Sequence, residues 1–219
     1  MTRLGEMRED YTAGQLREAD LAAGPFVQFE QWFNTAREKG LHEPNAMTVA
    51  SVNAAGQPSA RIVLLKDFSE DGFVFYTNYD SRKGREILET RKVALVFFWS
   101  ELERQVRIEG HAEKVSAHIS DAYFASRPRA SQLGAHVSPQ SQVIPDRDFL
   151  NHRQQELESR FKDQPIPRPE HWGGINVIPE VFEFWQGRSG RLHDRIRYTK
   201  NNVHQQNNDR SWLHERLAP

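Results

Sequence analysis

No cysteine occurs anywhere in this sequence, and that single absence excludes disulfides, thiolate zinc sites and cysteine nucleophiles together. A reducing, cytoplasmic setting is the expectation. Net charge is also missing: 29 Lys and Arg stand against 30 Asp and Glu. No general attraction to nucleic acid or to an anionic membrane follows, so any anion binding must be local. Apolar runs are short of the ~20 residues a membrane-spanning helix needs, and "MTRLGEMREDYTAGQLREADL" lacks the apolar centre of a signal peptide. Neither nucleic acid nor membrane is therefore an expected partner. The glycine-rich dinucleotide fingerprint, a P-loop, a G-x-S-x-G elbow and an H-E-x-x-H pair are absent as well. With the nine histidines scattered, no metal is expected.

What the chain does contain is enough for one sizeable core, since 219 residues lie near the roughly 100–200 residues of one domain. Residues 1–24 carry few large apolar side chains and read as a mobile or partner-docked arm. The remainder, 25–219, reads as a single domain. "PFVQFEQWFNTAREKG" opens with Pro25, repeats apolar groups at Phe26, Phe29, Phe33 and Ala36, and stops at Gly40, which predicts a helix. From Met47 the period shortens to two, and "NAAGQP" and "DFSEDG" divide three β-rich runs into hairpins. "SRKGREILETRK" predicts a helix capped by Ser81. Strands are expected at "VALVFFWS" and "RQVRIEGHAEKVS", and helices at "AHISDAYFASRP" and "PDRDFLNHRQQELESRFKD". "RASQLGAHVSPQSQVI" between those helices reads as a long polar loop. The strands "INVIPEVFEFWQG" and "RLHDRIRYTK" precede an Asn/Gln-rich stretch, "NNVHQQNND", expected as an exposed loop between strands. The class is α+β, mainly antiparallel, either a barrel or a sandwich.

Three cationic clusters stand out from the neutral background. In "RLHDRIRY", an extended chain would put Arg191, His193 and Arg195 on one face. Like charges so close call for screening water or for an anion. Arg82 and Lys83 open the predicted helix after Ser81, where free backbone N–H groups already favour an anion. A bound phosphate or a solvated helix start would each account for them. Arg61 and Lys66 flank an apolar run at odd spacing, so they reach one ligand only across a bulge, a bend or a subunit boundary. Plain strand-end charges are the alternative. Gln105 shares its face with Arg107, either as solvated surface or as a partner for a polar heterocycle.

The motifs "ARIVLLK", "FYTNYDSRKGREI", "LERQVRIEG", "YFASRPRASQLGAHVSPQS", "WGG", "EFWQGRSGRLHDR" and "RLAP", in this order from Arg8 to Pro219, resemble the pyridoxamine 5′-phosphate oxidase family. The resemblance implies an FMN-binding split β-barrel with flanking helices. It also implies a homodimer with flavin at the subunit interface, and oxidation of pyridoxamine or pyridoxine 5′-phosphate to pyridoxal 5′-phosphate with O2 reduced to H2O2. On matching positions it places Arg61, Lys66, Tyr76, Thr77, Arg82, Lys83, Gln105, Gln140, Ser141, Trp185 and Arg195 at FMN. Lys66, Tyr123, Arg127 and Ser131 fall to the substrate phosphate, and Arg191 and His193 to the reacting end of the pyridine as the catalytic pair. Arg8 and Tyr11 fall on an arm that closes over the substrate. A neutral His193 is expected to be able to accept a proton, and Asp194 to act as an ion-pair partner. Two rival readings are another FMN reaction in the same fold and a non-catalytic carrier of FMN or pyridoxal phosphate.

Overall fold

Phenylalanines at alternate positions in "GFVFYTN" and "EVFEFWQ" dictate the architecture, because each strand must turn one face onto a common core. The computed structural model describes residues 7, 9–201 and 212–219. Arg8 and nearly all of the Asn/Gln-rich stretch lie outside the described residues. The strands are β1 (Ala46–Val52), β2 (Pro58–Leu64), β3 (Asp67–Ser69), β4 (Gly72–Asn78), β5 (Lys92–Trp99), β6 (Arg104–Lys114), β7 (Trp172–Gln186), β8 (Asp194–Lys200) and β9 (Trp212–Arg216). The helices are α1 (Pro25–Glu38), α2 (Arg82–Thr90), α3 (Ala117–Ser126), α4 (Arg129–Val137) and α5 (Arg147–Arg160). All described pairings are antiparallel, in the order β2-β1-β5-β6-β7-β4-β3, with β8 on β7 and β9 on β8.

The sheet curls because β7 serves two neighbours. Its first half pairs with β4 and its second half with β8, while β6 runs along both. The register slips between Glu109 and Gly110. A Cβ on Gly110 would come within 2.1 Å of the Ile178 carbonyl, so this bulge needs glycine. The bend converts a flat sheet into a split half-barrel. Helix α1 plugs it: fully buried Phe29 meets the rings of Phe73 and Phe97 at 4.9 and 5.0 Å. Burying a side chain of this size stabilises by about 1.5–3 kcal/mol.

Most expected elements are present, with three differences. "DFS" forms the short strand β3 and is not wholly turn. The long loop is in its first half a helix, α4, whose Leu133 and Val137 are buried; Leu133 packs beside Phe124, Phe161, Ile166 and Trp172. The chain does break at Pro128, since α3 ends at Ser126 and α4 begins at Arg129. Finally, "RLHDR" is not extended throughout: Ser189–Arg191 forms a 3-10 turn, and Arg191 itself has φ 61°.

Candidate functional site

The first group of site residues surrounds α2. Ser81 is fully buried and caps the helix, accepting from the Gly84 N–H at 3.2 Å and donating to the Asn78 carbonyl at 2.7 Å. Gly84 lets the helix press against that turn, since a Cβ there would lie 2.4 Å from the Tyr79 carbonyl oxygen. The helix start thus faces a cleft of about 350 Å³, lined among others by Lys66, Tyr76, Thr77, Lys83, Tyr123, Arg127 and Gln140. Lys83 donates to Gln140 at 2.8 Å. Burial draws the Lys83 pKa below the ordinary lysine value, and the charge of Arg61 adds to this. Tyr123 stacks on Tyr76 at 3.8 Å, and burial pushes both phenols up.

Arg127 lies over the Trp172 ring at 4.5 Å, and burial lowers its pKa. Its Nη1 is buried without a hydrogen-bond partner. Leaving a buried guanidinium nitrogen unsatisfied is costly, and among the described residues the lining has three cations and no carboxylate. The cleft therefore fits an anion. Ser131, in the first turn of α4, and Ser141, an exposed residue at φ 70°, are near Arg127 and Gln140 in sequence but do not line it. Arg61 and Arg82 lie beside it, both bound to Glu86. The odd spacing of Arg61 and Lys66 is resolved by the chain leaving β2 after Leu64.

The second group lies at the other end of β7. Gln105, Trp185 and Arg195 are direct cross-strand neighbours on β6, β7 and β8. Arg195 forks onto Glu183 through Nε and Nη2 at 3.0 and 3.1 Å and donates to the Ala218 carbonyl at 2.8 Å. Tyr11 stands edge-on to Trp185 and His193, and those two rings are 4.7 Å apart. Arg191 does not share a strand face with His193 and Arg195, because its left-handed backbone conformation takes it off the strand. It lines instead a cavity of about 410 Å³ with Glu9, Asp10, Tyr11 and Arg188.

His193 is fixed in one tautomer. The Arg188 backbone N–H donates to its Nδ1 at 3.1 Å, and a backbone N–H can only donate. Nδ1 must carry the lone pair, so the neutral ring holds its proton on Nε2. The lone pair of the neutral ring is thereby engaged by the Arg188 N–H. Asp194 accepts from Arg216 at 2.8 Å and from the Leu16 N–H at 3.0 Å, as an ion-pair partner should. Arg216 also forks onto Glu18, so the described part of the arm is tied down along Gln15, Leu16 and Glu18.

Among the described residues the two cavities share no lining residue. Tyr76 and Thr77 pair with Gly174 and Gly173, whereas Trp185 lies up to roughly 35 Å further along β7 at ~3.3 Å per residue. Ile62 and Phe98, 65% and 59% exposed, lie on the same sheet face as Gln105, Trp185 and Arg195. Sequence reasoning missed Glu86, Glu183 and Trp172 as site residues. Only Glu86 left a trace, a carboxylate four residues after Arg82 and next to the buried Ile87. Among the described residues no cluster of His, Asp and Glu could hold a metal, and no helix is long and apolar enough to cross a membrane.

A split antiparallel half-barrel with an anion-fitting cleft at a helix start defines the class, and solved structures share its fold. An FMN-binding, pyridoxamine 5′-phosphate oxidase-related protein from Nostoc punctiforme superposes with a TM-score of 0.69 at 16% identity, over 91% of this chain and 100% of its own. PhzG from Burkholderia lata, solved with tetrahydrophenazine-1-carboxylic acid, gives 0.83 at 28% identity, over 92% and 95%. Residues 33–161 match the pyridoxamine 5′-phosphate oxidase family, and residues 172–219 match the pyridoxine 5′-phosphate oxidase C-terminal dimerisation region. A pyridoxine/pyridoxamine 5′-phosphate oxidase of Nostoc sp. is 55% identical over 99% of this chain and 98% of its own. One of Paraburkholderia phytofirmans is 52% identical over the full length of both. The chain belongs to the pyridoxamine 5′-phosphate oxidase family of oxidoreductases.

Proposed function

We propose that two copies of this chain hold FMN between them and oxidise pyridoxamine and pyridoxine 5′-phosphate to pyridoxal 5′-phosphate. The carrying observation is the cleft with three cations, no carboxylate and an unpartnered Arg127 Nη1. It takes up two phosphates. Arg61 on β2, with Arg82 and Lys83 at the α2 start, would hold that of FMN, with Tyr76, Thr77, Gln140 and Ser141 along the cofactor. Lys66, Tyr123, Arg127 and Ser131 would hold that of the substrate, Lys66 lying between the two. The residues fit the cofactor by their donor set, since charge-assisted bonds from several arginines suit a phosphate.

The face bearing Gln105, Trp185 and Arg195 would come from the second copy, covering the exposed Ile62 and Phe98 and completing the flavin site. FMN, when bound, supplies a hydride acceptor at N5 and a route for the electrons to O2, giving H2O2. The chain's own residues orient the substrate. Arg191 and His193, the latter donating from Nε2, would set its amine or alcohol so that the C4′ hydrogen faces the flavin. Tyr11 and Arg8, on the arm of residues 1–24, would close over it, with residues 25–219 as the barrel domain.

Visible absorbance of the purified protein tests this. A flavin spectrum that bleaches with pyridoxamine 5′-phosphate under anaerobic conditions and returns in air, leaving aldehyde and peroxide in equal amounts, is expected. A flavin that stays oxidised would overturn the oxidase reading in favour of a carrier or another flavin reaction.

A further inference from the structure

Glu86 is 5% exposed on the inner side of α2, a position where a lone carboxylate is costly. Four donors surround it. Ser51 and Ser59 each donate to its Oε2 at 2.6 Å, Arg82 Nε donates to Oε1 at 2.8 Å, and Arg61 Nη2 lies 3.7 Å away. Burial would raise this carboxyl, but the hydrogen bonds from Ser51, Ser59 and Arg82 hold it at about 2. It is a fixed anion in a cluster of cations.

The two serines make the arrangement directional. They face each other across β1 and β2, and each has one hydroxyl proton. Both donate it to Glu86, leaving only lone pairs for Arg61, whose Nη1 donates to Ser51 at 2.6 Å and Nη2 to Ser59 at 2.5 Å. A third bond, to the Val49 carbonyl at 3.2 Å, completes the anchor. The carboxylate charge thus sets the hydroxyl rotors, and the rotors set the guanidinium. A glutamine has one acceptor oxygen where Glu86 has two: turned to the serines it would set an NH2 against the Arg82 Nε–H, and turned to Arg82 it would set N–H groups against both hydroxyls, so it cannot serve the serines and Arg82 together.

We propose that Glu86 is a positioning residue for phosphate binding: through Ser51 and Ser59 it orients Arg61, and directly it orients Arg82, beside the start of α2. This rests on the FMN reading above. Arg61, Arg82, Lys83 and Glu86 together carry two net positive charges, matching a phosphate dianion. Charge and position act with opposite sign here. If Glu86 only tempered the charge, Glu86→Gln would add a net positive charge and tighten FMN binding. If it positions the arginines, the same change weakens it.

The experiment titrates apoprotein with FMN and with riboflavin, which lacks the phosphate, following the flavin fluorescence. Glu86→Gln should weaken FMN by about tenfold or more, roughly 1.4 kcal/mol, while riboflavin affinity moves by less than about twofold. The Ser51→Ala/Ser59→Ala double variant keeps Glu86 and Arg82 but removes the two hydroxyls that link Glu86 to Arg61, leaving Arg61 its bond to the Val49 carbonyl. It should weaken FMN selectively too, and it serves as the deciding variant if Glu86→Gln does not fold. FMN binding as tight as wild type, or tighter, would overturn the proposal, as would equal losses for FMN and riboflavin. Failure of the wild type to bind FMN would instead remove the underlying reading, and the positioning role with it.

Discussion

Which ring nitrogen of His193 bears the proton decides what it can do for a substrate. With Nδ1 engaged by the Arg188 N–H, nitrogen NMR at neutral pH should show Nδ1 unprotonated in the neutral ring; a protonated Nδ1 would refute the assignment. His193→Gln, which keeps a donor near Nε2, should retain more activity than His193→Ala. The arginines on either side divide by their contacts. Arg195→Leu should weaken FMN and leave Glu183 with Arg107 as its remaining cation, whereas Arg191→Ala should mainly raise the substrate KM. Each lost charge-assisted contact is worth about 1.5–3 kcal/mol, roughly tenfold or more. Equal FMN affinity and unaltered kinetics in both variants would refute this division. Glu86 also sets a pH dependence. Its carboxyl lies at about 2 in the fold against an ordinary 4.5, so its stabilisation is complete above pH 4.5 and is lost as pH falls toward 2. The difference in thermal midpoint between wild type and Glu86→Gln should therefore shrink over that window. A constant difference across it would show that the carboxyl is not depressed.

At the scale of elements, α2 opens onto the cationic cleft through Lys83, and its packing leaves no room at Gly84. Gly84→Ala pushes a methyl group into the Asn78 and Tyr79 carbonyls, with a cost of about 1–3 kcal/mol. It should lower the thermal midpoint and weaken FMN together; a neutral effect on both would mean that α2 can shift freely. This helix and its Ser81 cap were legible in "DSRKG", because capping chemistry is local. Helix α4 was not. "RASQLGAHV" offers small and polar residues with only Leu133 and Val137 to mark a face, and the partners that bury it, Phe124, Phe161 and Trp172, come from three other elements. The turn at Arg191 was hidden for a related reason: the alternation of "RLHDRIRY" is that of a strand, and only the 3-10 turn after Arg188 removes its first residues from the ladder.

At the scale of the molecule, the amino-acid order gave no sign that the site residues fall into two sets at opposite ends of β7. Separation along a curled strand depends on pairings that the order of motifs does not reveal, and Glu86 acquires its meaning only when β1 and β2 bring Ser51 and Ser59 beneath α2. If two copies complete each site, Arg127→Ala and Arg191→Ala disable it from different chains at substrate well below KM. Mixed by co-expression, the two variants should recover about a quarter of wild-type activity, since half the dimers are mixed and one of their two sites is intact. No recovery would mean that each chain builds its own site.

Arg216 joins Glu18 and the Leu16 carbonyl to Asp194, spanning 198 positions between Arg216 and Glu18. Closing a loop of that length costs conformational entropy that ion pairs at a partly exposed site do not offset by themselves. The clasp therefore holds only while the barrel between its ends is folded, and the arm that approaches His193 loses this fastening when β9 parts from β8.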